Sequence, residues 1–341
     1  MKILVTGAGG FLGRHIVERL LAHGQTDIRC LIRDPCKRSR LNFLKDRYPT
    51  ANLDFALGNL RYARDIRSAV DGVGLVIHAA AAMKGSAAEI FLDSVVASRN
   101  LLDAIVGRHP MRVVLISSFG ALGVADLGRD ALIDEQAPLE PHPEWRDVYS
   151  YAKLSQESLF WQYREKYGLD LTVLRPGVIY GPGSNSVSSR VGFPAFGTFF
   201  HLGGKNLLPL THVENCSEAV ALVALREGSD GEVYHIVDDE LITSRRYLRL
   251  YRDCVTSLRT VSVPYPVLML LSHVFQWYSN YSKGQLPAVF TPYKTKTTWG
   301  GNRFSNAKLH SIGWKQIVPT GEGLRRSFEA FRESSKSQMF T

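Results

Sequence analysis

Eight residues near the start of the chain restrict its fold more than any others: Thr6-Gly7-Ala8-Gly9-Gly10-Phe11-Leu12-Gly13. The apolar run Lys2–Thr6 before them reads as a buried strand. The stretch Phe11–His23 after them puts Phe11, Leu12, Ile16, Leu20 and Leu21 on one helical face. A strand that passes through three spaced glycines into a helix is the phosphate-binding turn of a βαβ unit. Glycine permits the tight turn and brings the backbone close to a pyrophosphate, and the third glycine lets helix and strand pack closely. The helix start adds unpaired N–H groups and the positive end of its dipole. The turn therefore implies a dinucleotide cofactor held by Gly7, Gly10, Phe11, Leu12 and Gly13. A glycine triplet will arise by chance among 29 glycines, so its place between strand and helix carries the inference.

The alternation continues along the chain. Asp27–Ile32, Asn52–Leu57, Gly74–Ile77, Arg112–Ile116 and Leu171–Leu174 predict strands, and Ala63–Val70, Ala87–Val106 and Tyr149–Tyr167 predict helices. This pattern implies an α/β chain: a Rossmann-type, doubly wound parallel sheet with its cleft at the carboxyl ends of the strands. After residue 181 the rhythm changes. Glycine, serine, proline and aromatic residues crowd 181–210, followed by a helix at Glu214–Glu227, a strand at Glu232–Val237 and helices after Thr243. Residues 1–180 read as the dinucleotide-binding domain, with part of 211–240 completing its sheet. Residues 181–335 read mainly as a smaller C-terminal substrate-binding lobe.

Composition narrows the function. The net charge of +9 is interleaved with acids, and no zinc-finger spacing, RNA-binding signature or long basic run accompanies it, so nucleic acid is not an expected partner. Cys30, Cys36, Cys216 and Cys254 form no CxxC and have no ligand spacing with histidine; they read as small core residues, and no metal is expected. Met1-Lys2 runs straight into the first strand, leaving no room for a signal sequence, so a cytoplasmic, reducing setting is expected. The apolar and aromatic stretch Pro264–Tyr278 is interrupted by Ser272 and His273 and is too short for the ~20 residues of a membrane span. Peripheral contact with a membrane stays open.

At the end of the second strand, Leu31-Ile32-Arg33-Asp34-Pro35 places Arg33 where an acid would hold the ribose 2′-hydroxyl of NAD. Lys37 and Arg38 follow, so the cofactor reads as NAD(P)(H) with a preference for NADP(H), while Asp34 keeps NAD(H) open. Tyr149-Ser150-Tyr151-Ala152-Lys153 sets Tyr149 and Lys153 at i and i+4, on one helix face. About one such pair is expected by chance, so context matters: Ser117-Ser118 ends the fifth strand at the cleft. A free phenol, with a pKa near ~10, is a poor base at neutral pH, and an ammonium beside it would lower that value. Tyr149 would exchange the hydroxyl proton while hydride moves to or from nicotinamide, with Ser118 donating to the substrate oxygen. Lys153 would also hold the nicotinamide ribose. Ser117 reads as a strand-end residue, with the working serine as its alternative; Tyr151 reads as packing, His78 as lining the cofactor groove without acting as a base, and His201 and His212 as structural, with substrate contact as their alternative.

Taken together, these residues resemble the extended short-chain dehydrogenase/reductase family, also described as the NAD-dependent epimerase/dehydratase superfamily. The resemblance runs from Thr6 to about Phe331. Besides the glycine turn and the Ser118, Tyr149 and Lys153 set, it is carried by Gly58-Asn59-Leu60, His78-Ala79-Ala80, Arg175-Pro176-Gly177-Val178-Ile179-Tyr180-Gly181-Pro182, His212-Val213-Glu214-Asn215 and Gly313-Trp314. It implies cofactor contacts at Asn59, Leu60, Ala79, Ala80, Pro176 and Val178, besides Tyr149 and Lys153. Asn59 stands where the family usually has Asp, and Ser94 where a helix usually has Asn. Phe119 and Gly120 occupy the places of the Asp-Glu pair of the sugar-nucleotide 4,6-dehydratases, and neither can move a proton. Val178 replaces the Asn that many sugar-nucleotide epimerases direct at a diphosphate. The pattern is most similar to the 3β-hydroxysteroid-dehydrogenase-like branch, whose substrates are bulky lipophilic alcohols and ketones. Phe193, Phe196, Phe199, Phe200 and Val267-Leu268-Met269-Leu270-Leu271 are candidates to line an apolar pocket.

The resemblance implies an NAD(P)(H)-dependent dehydrogenase or ketoreductase that interconverts a secondary alcohol and a ketone on a bulky, largely apolar small molecule, steroid-like or another secondary metabolite. A sugar-nucleotide epimerase or reductase is one alternative. A non-catalytic dinucleotide sensor or assembly subunit is another, which the intact Tyr-Lys-Ser set argues against. The homodimer common in the family, formed through the helix carrying Tyr149, is left open.

Overall fold

The strands are short and nearly all apolar, which suits a parallel sheet covered on both faces. The computed structural model describes residues 1–108, 111–184, 187–282 and 290–338, with side chains to 333. The chain opens with β1 (Lys2–Thr6), α1 (Phe11–Ala22), β2 (Asp27–Ile32), α2 (Ser39–Arg47), β3 (Asn52–Leu57), α3 (Ala63–Ala69) and β4 (Val73–His78). It continues through α4 (Ala87–Phe91), a π-helical turn (Leu92–Val96) and α5 (Ala97–Ile105) to β5 (Arg112–Ile116). The two-residue β6 (Leu132–Ile133), α6 (Val148–Tyr167) and β7 (Asp170–Pro176) follow. Next come β8 (Val178–Tyr180), β9 (Gly192–Ala195), β10 (Thr198–His201), β11 (Leu210–His212), α7 (Val213–Leu225) and β12 (Val233–Ile236). The last elements are α8 (Ser244–Cys254), β13 (Thr260–Ser262), α9 (Tyr265–Tyr281), α10 (Pro292–Trp299), β14 (Arg303–Phe304), α11 (Ala307–Ser311) and α12 (Thr320–Gln338).

Seven strands form one sheet in the order β12-β7-β5-β4-β1-β2-β3, every neighbour parallel. The winding direction reverses beside β1, so the crevice between the carboxyl ends of β1 and β4 is the switch point of a doubly wound sheet. The register pairs Thr6 with His78, which sets the glycine turn beside the residues that follow β4. Side chains alternate across the sheet. Ile3 and Val5 pack with α1 and α7 residues such as Ile16, Leu20 and Val220 on one face, while Leu4 packs with Leu101, Leu102 and Phe160 on the other. A second, three-stranded sheet, β13-β10-β9, lies in the C-terminal half of the chain.

Several expectations need correction. The helix expected at Ala87–Val106 is divided by the π-helical turn around Ser94. Helix α2 went unread because only Leu41 and Leu44 are buried in a charged segment, too few apolar residues to show a period. Cys30 and Cys216 are buried as expected, but Cys36 and Cys254 are exposed; all four are free thiols. The expected apolar lining is not assembled. Phe196 is fully exposed, and Val267, Leu270 and Leu271 face outward. Phe199 packs in a cluster with Val191, Leu210 and Tyr247, while Phe193 stacks on Phe200 beside Leu268 and Trp299. Among the described residues no helix is long and apolar enough to cross a membrane, and no group of three or more His, Cys, Asp or Glu side chains could hold a metal ion.

Candidate active site

The glycine turn is built for close approach. Gly7 has φ +69°, and a Cβ there would meet the Ala80 Cα and N at 3.0 Å. A Cβ on Gly13 would lie 2.1 Å from the Gly7 carbonyl oxygen. Helix α1 starts from Gly10 with no side-chain cap and no acid in its first turn, so its leading N–H groups are available to an anion. These features fit the diphosphate of a dinucleotide. The other candidate cofactor residues follow the same sheet edge: Arg33 after β2, Asn59 and Leu60 after β3, Ala79 and Ala80 after β4, and Pro176 and Val178 where β7 passes into β8. Not every side chain is free to make a contact. Leu60 is packed in the core, and the Asn59 Oδ1 already accepts the Arg61 N–H at 3.0 Å.

After β2 the acid and the base are engaged with different partners. The Asp34 Oδ1 accepts the Cys36 N–H at 3.0 Å and caps the turn Pro35–Arg38. The Arg33 Nη1 donates to the Asp93 Oδ2 at 2.9 Å, and Arg61 bonds the other oxygen of Asp93. Burial works against the Asp93 charge, but these two guanidinium bonds hold its carboxyl below the usual range. Arg40 reaches the Gly9 carbonyl at 3.5 Å, at the back of the glycine turn.

The Ser118, Tyr149 and Lys153 set meets at the end of β5. Asp147 caps α6 by accepting the Ser150 N–H at 3.0 Å, which places Tyr149 in the first turn. The Ser118 hydroxyl lies beside the Tyr149 phenol, near enough to stabilise its ionised form. Burial raises the Tyr149 pKa, Ser118 pulls it down, and nearby Asp147 pushes it up, with a net rise. The expectation that Lys153 lowers this pKa is not met. The Lys153 ammonium is instead turned onto the Ile116 carbonyl at 2.8 Å and the Gln156 Oε1 at 2.9 Å. Burial brings the Lys153 pKa down to about 8, against the opposing pull of Glu157. Phe119 points away from the site, its ring stacked on Phe304 and set edge-on to His235.

Beneath Lys153 lies a polar network that the sequence reading missed. Gln156 is fully buried, and its Nε2 donates to the Ser98 Oγ at 2.8 Å and lies 3.2 Å from the His78 Nε2. His78 joins the network through the Thr6 Oγ1 at 2.8 Å and the Ser98 Oγ at 2.9 Å. Burial, helped by Lys153, lowers the His78 pKa to about 3, so it is neutral; it is sealed in the interior rather than lining the groove. The π-helical turn presents the Ser94 carbonyl to Gln156 at 3.4 Å and to Ser98. A second buried group joins Ser117 to Glu157, which accepts Arg175 at 2.5 Å and Trp161 at 3.3 Å. Ser117 is thereby committed to structure. His201 is likewise held, between Ser244 at 3.0 Å and Ser262 at 3.3 Å, and His212 caps α7. The missed residues carry a signal in hindsight: Tyr149, Lys153, Gln156, Glu157 and Phe160 follow helical spacing, so two polar residues continue a face that ends in a core phenylalanine.

Comparison with known proteins agrees with this geometry. The model of the NAD dependent epimerase/dehydratase family matches residues 3–236. The chain is 25% identical to the sterol-4-alpha-carboxylate 3-dehydrogenase (decarboxylating) of Candida albicans, over 97% of this chain and 98% of that protein. It is 27% identical to the 4-hydroxy-2-methyl-3-oxo-4-farnesyl-3,4-dihydroquinoline-1-oxide ketoreductase of Stigmatella aurantiaca, over 85% and 84% of the two chains. The crystal structure of Thermus thermophilus UDP-glucose 4-epimerase in complex with NAD superposes with a TM-score of 0.69 at 22% identity, covering 97% of this chain and 99% of that one.

Proposed function

Since the chain belongs to the NAD dependent epimerase/dehydratase family, as an NAD(P)-dependent oxidoreductase of CH–OH groups of its 3β-hydroxysteroid-dehydrogenase-like branch, we propose that it reduces a ketone on a bulky, largely apolar small molecule. The observation that carries the direction is the Ser118–Tyr149 pair. Its phenol has a raised pKa and stays protonated at neutral pH, so it is poised to give a proton rather than take one. The sterol and farnesylated substrates in the relatives' names support an apolar substrate, as do Phe119 and Val178 in place of the polar groups expected of sugar-nucleotide enzymes.

In this mechanism the bound nicotinamide supplies the hydride. Ser118 and Tyr149 present two O–H donors to one carbonyl oxygen and polarise it. Tyr149 transfers its proton to that oxygen as the alcohol forms, and the nearby Ser118 hydroxyl stabilises the phenolate left behind until it is reprotonated. Lys153, anchored by Ile116 and Gln156, holds an ammonium behind the reacting groups and has a third N–H for a ribose hydroxyl.

We further propose that the preferred cofactor is NADP(H). The one acid that could hold a ribose 2′-hydroxyl after β2, Asp34, is engaged in capping, and Arg33, Arg38 and Arg40 flank it in the sequence. The test is loss of the reduced-nicotinamide absorbance, with NADH and NADPH offered separately, against panels of lipophilic ketones and of sugar nucleotides. Stoichiometric oxidation with a ketone, more efficient with NADPH and shifted toward NADH by Arg33→Asp, supports both readings. Interconversion of a sugar nucleotide with no net loss of reduced cofactor would overturn the ketone reading, and an unchanged cofactor ratio in Arg33→Asp would remove Arg33 from the 2′-phosphate site.

A further inference from the structure

Arg190, between β8 and β9, is an inward cation that the chain leaves without a counterion. Helix α10 pins its backbone: the Trp299 Nε1 donates to the Arg190 carbonyl at 3.1 Å. The Arg190 Nη1 donates to the Thr298 carbonyl at 3.3 Å, and among the described residues the guanidinium forms no ion pair. Burial, with Arg146 second, brings its pKa down to about 10 against the support of Asp147, so it is charged at neutral pH. A charge taken out of water is costly unless something neutralises it.

Other inward arginines show how the fold meets that cost. Arg146 is buried against Glu140 at 2.5 Å, and Arg175 against Glu157 at 2.5 Å. Arg112 has no acid, but its Nη1 and Nη2 reach the Ala224 and Val223 carbonyls at 3.1 and 3.0 Å, and Nη2 also bonds Ser229. Arg190 has one main-chain oxygen, at a distance beyond the usual range for such a bond. The acids around it are committed elsewhere. Glu140 takes Arg146 and the Tyr293 phenol. Asp147 accepts the Ser150 N–H at 3.0 Å and the Ser150 hydroxyl at 2.7 Å.

Its position indicates where the missing partner comes from. The Asp147 charge acts on both the Tyr149 phenol and the Arg190 guanidinium, so both groups lie near the start of α6. Tyr149 and Arg190 are each partly accessible, so a molecule in the cleft can reach both. The planar guanidinium fork suits the paired oxygens of a carboxylate or a phosphate. A wholly apolar ketone would leave the cation uncompensated.

We propose that Arg190 binds an oxyanion carried by the substrate, a carboxylate or a phosphate ester, so that the ketone reduced in this cleft is an anionic amphiphile. The assignment rests on the reading of the cleft as a ketone site. It is tested by calorimetric titration of the full-length protein, saturated with oxidised cofactor, with naphthoate, naphthyl phosphate and the neutral naphthamide. The wild type should bind one of the anions at least about tenfold more tightly than the amide, and the favoured anion names the group. Arg190→Met should erase the preference, and Arg190→Lys should keep part of it. Because Arg190→Met removes an unneutralised charge, its urea midpoint should be no lower than that of the wild type. Wild type that binds anions and amide alike overturns the proposal, as does a preference that survives in Arg190→Met. A Met variant less stable than the wild type overturns it too, by making Arg190 a structural cation. Reduction of keto acids and of their methyl esters, followed in parallel, separates the two readings. Anion binding at Arg190 with no ketone reduced would strike the ketone reading alone. Acids and esters reduced alike, with no anion preference in the titration, would strike the Arg190 assignment alone.

Discussion

Replacing Gln156 should move the pH dependence of the reaction without touching a reacting group. Gln156 is one of two acceptors for the buried Lys153 ammonium, the other being the Ile116 carbonyl, at 2.9 and 2.8 Å. A hydrogen bond to a charged group contributes about 1.5–3 kcal/mol, and one pH unit of titration corresponds to about 1.4 kcal/mol. Gln156→Leu removes that support from the charged form only. Lys153 already titrates at about 8 because burial disfavours its charge, so losing the acceptor should bring the alkaline limb of kcat down by about one to two pH units. At pH ~7.5 most Lys153 would then be neutral, and kcat should fall about three- to twenty-five-fold, with much of the loss recovered near pH ~6. Gln156→Glu places a carboxylate at the same distance and should move the limb the other way.

The assay is initial-rate ketone reduction across pH for the wild type and both variants, with KM for ketone and cofactor determined at each pH. A merely structural role would lower activity equally at every pH. The reasoning fails if Gln156→Leu is folded and its alkaline limb coincides with that of the wild type, or if the Leu and Glu variants shift the limb in the same direction.

Ser118→Ala should lower kcat by about 10²–10³, the usual loss of a donor to a developing oxyanion, whereas Ser117→Ala should leave kcat within severalfold and cost about 1 kcal/mol of stability. Single-turnover rates and urea midpoints on the two variants separate these roles; equal kinetic losses would return Ser117 to the site. Glu157→Ala leaves Arg175, only 4% exposed, without its counterion, and should cost about 3–5 kcal/mol in urea unfolding, most of it recovered in Glu157→Ala/Arg175→Met. A single variant as stable as the wild type would show that Arg175 finds water or another partner.

What the sequence disclosed and what it hid divide along the range of the interactions. The glycine turn, the strands at Lys2–Thr6 and Arg112–Ile116 and the Tyr149/Lys153 spacing are local: each is set by residues within about one helical turn of one another, so periodicity and position are enough to find them. The environment of those residues is not local. Gln156 meets His78, Ser98 and Ser94 from segments some sixty to eighty residues away, through a π-helical turn that no apolar period announces. Arg33 stands where a cofactor-selecting residue is expected, yet its guanidinium is shared with Asp93 from that same turn. The largest consequence concerns Tyr149. Spacing alone suggested a phenol made acidic by a nearby ammonium, because i and i+4 residues share a face. In the folded chain the ammonium finds a main-chain carbonyl and a glutamine, and burial decides the phenol's pKa. The same three residues read from sequence as an acid/base set for either direction, and the raised phenol pKa supports our proposal that Tyr149 donates a proton in ketone reduction.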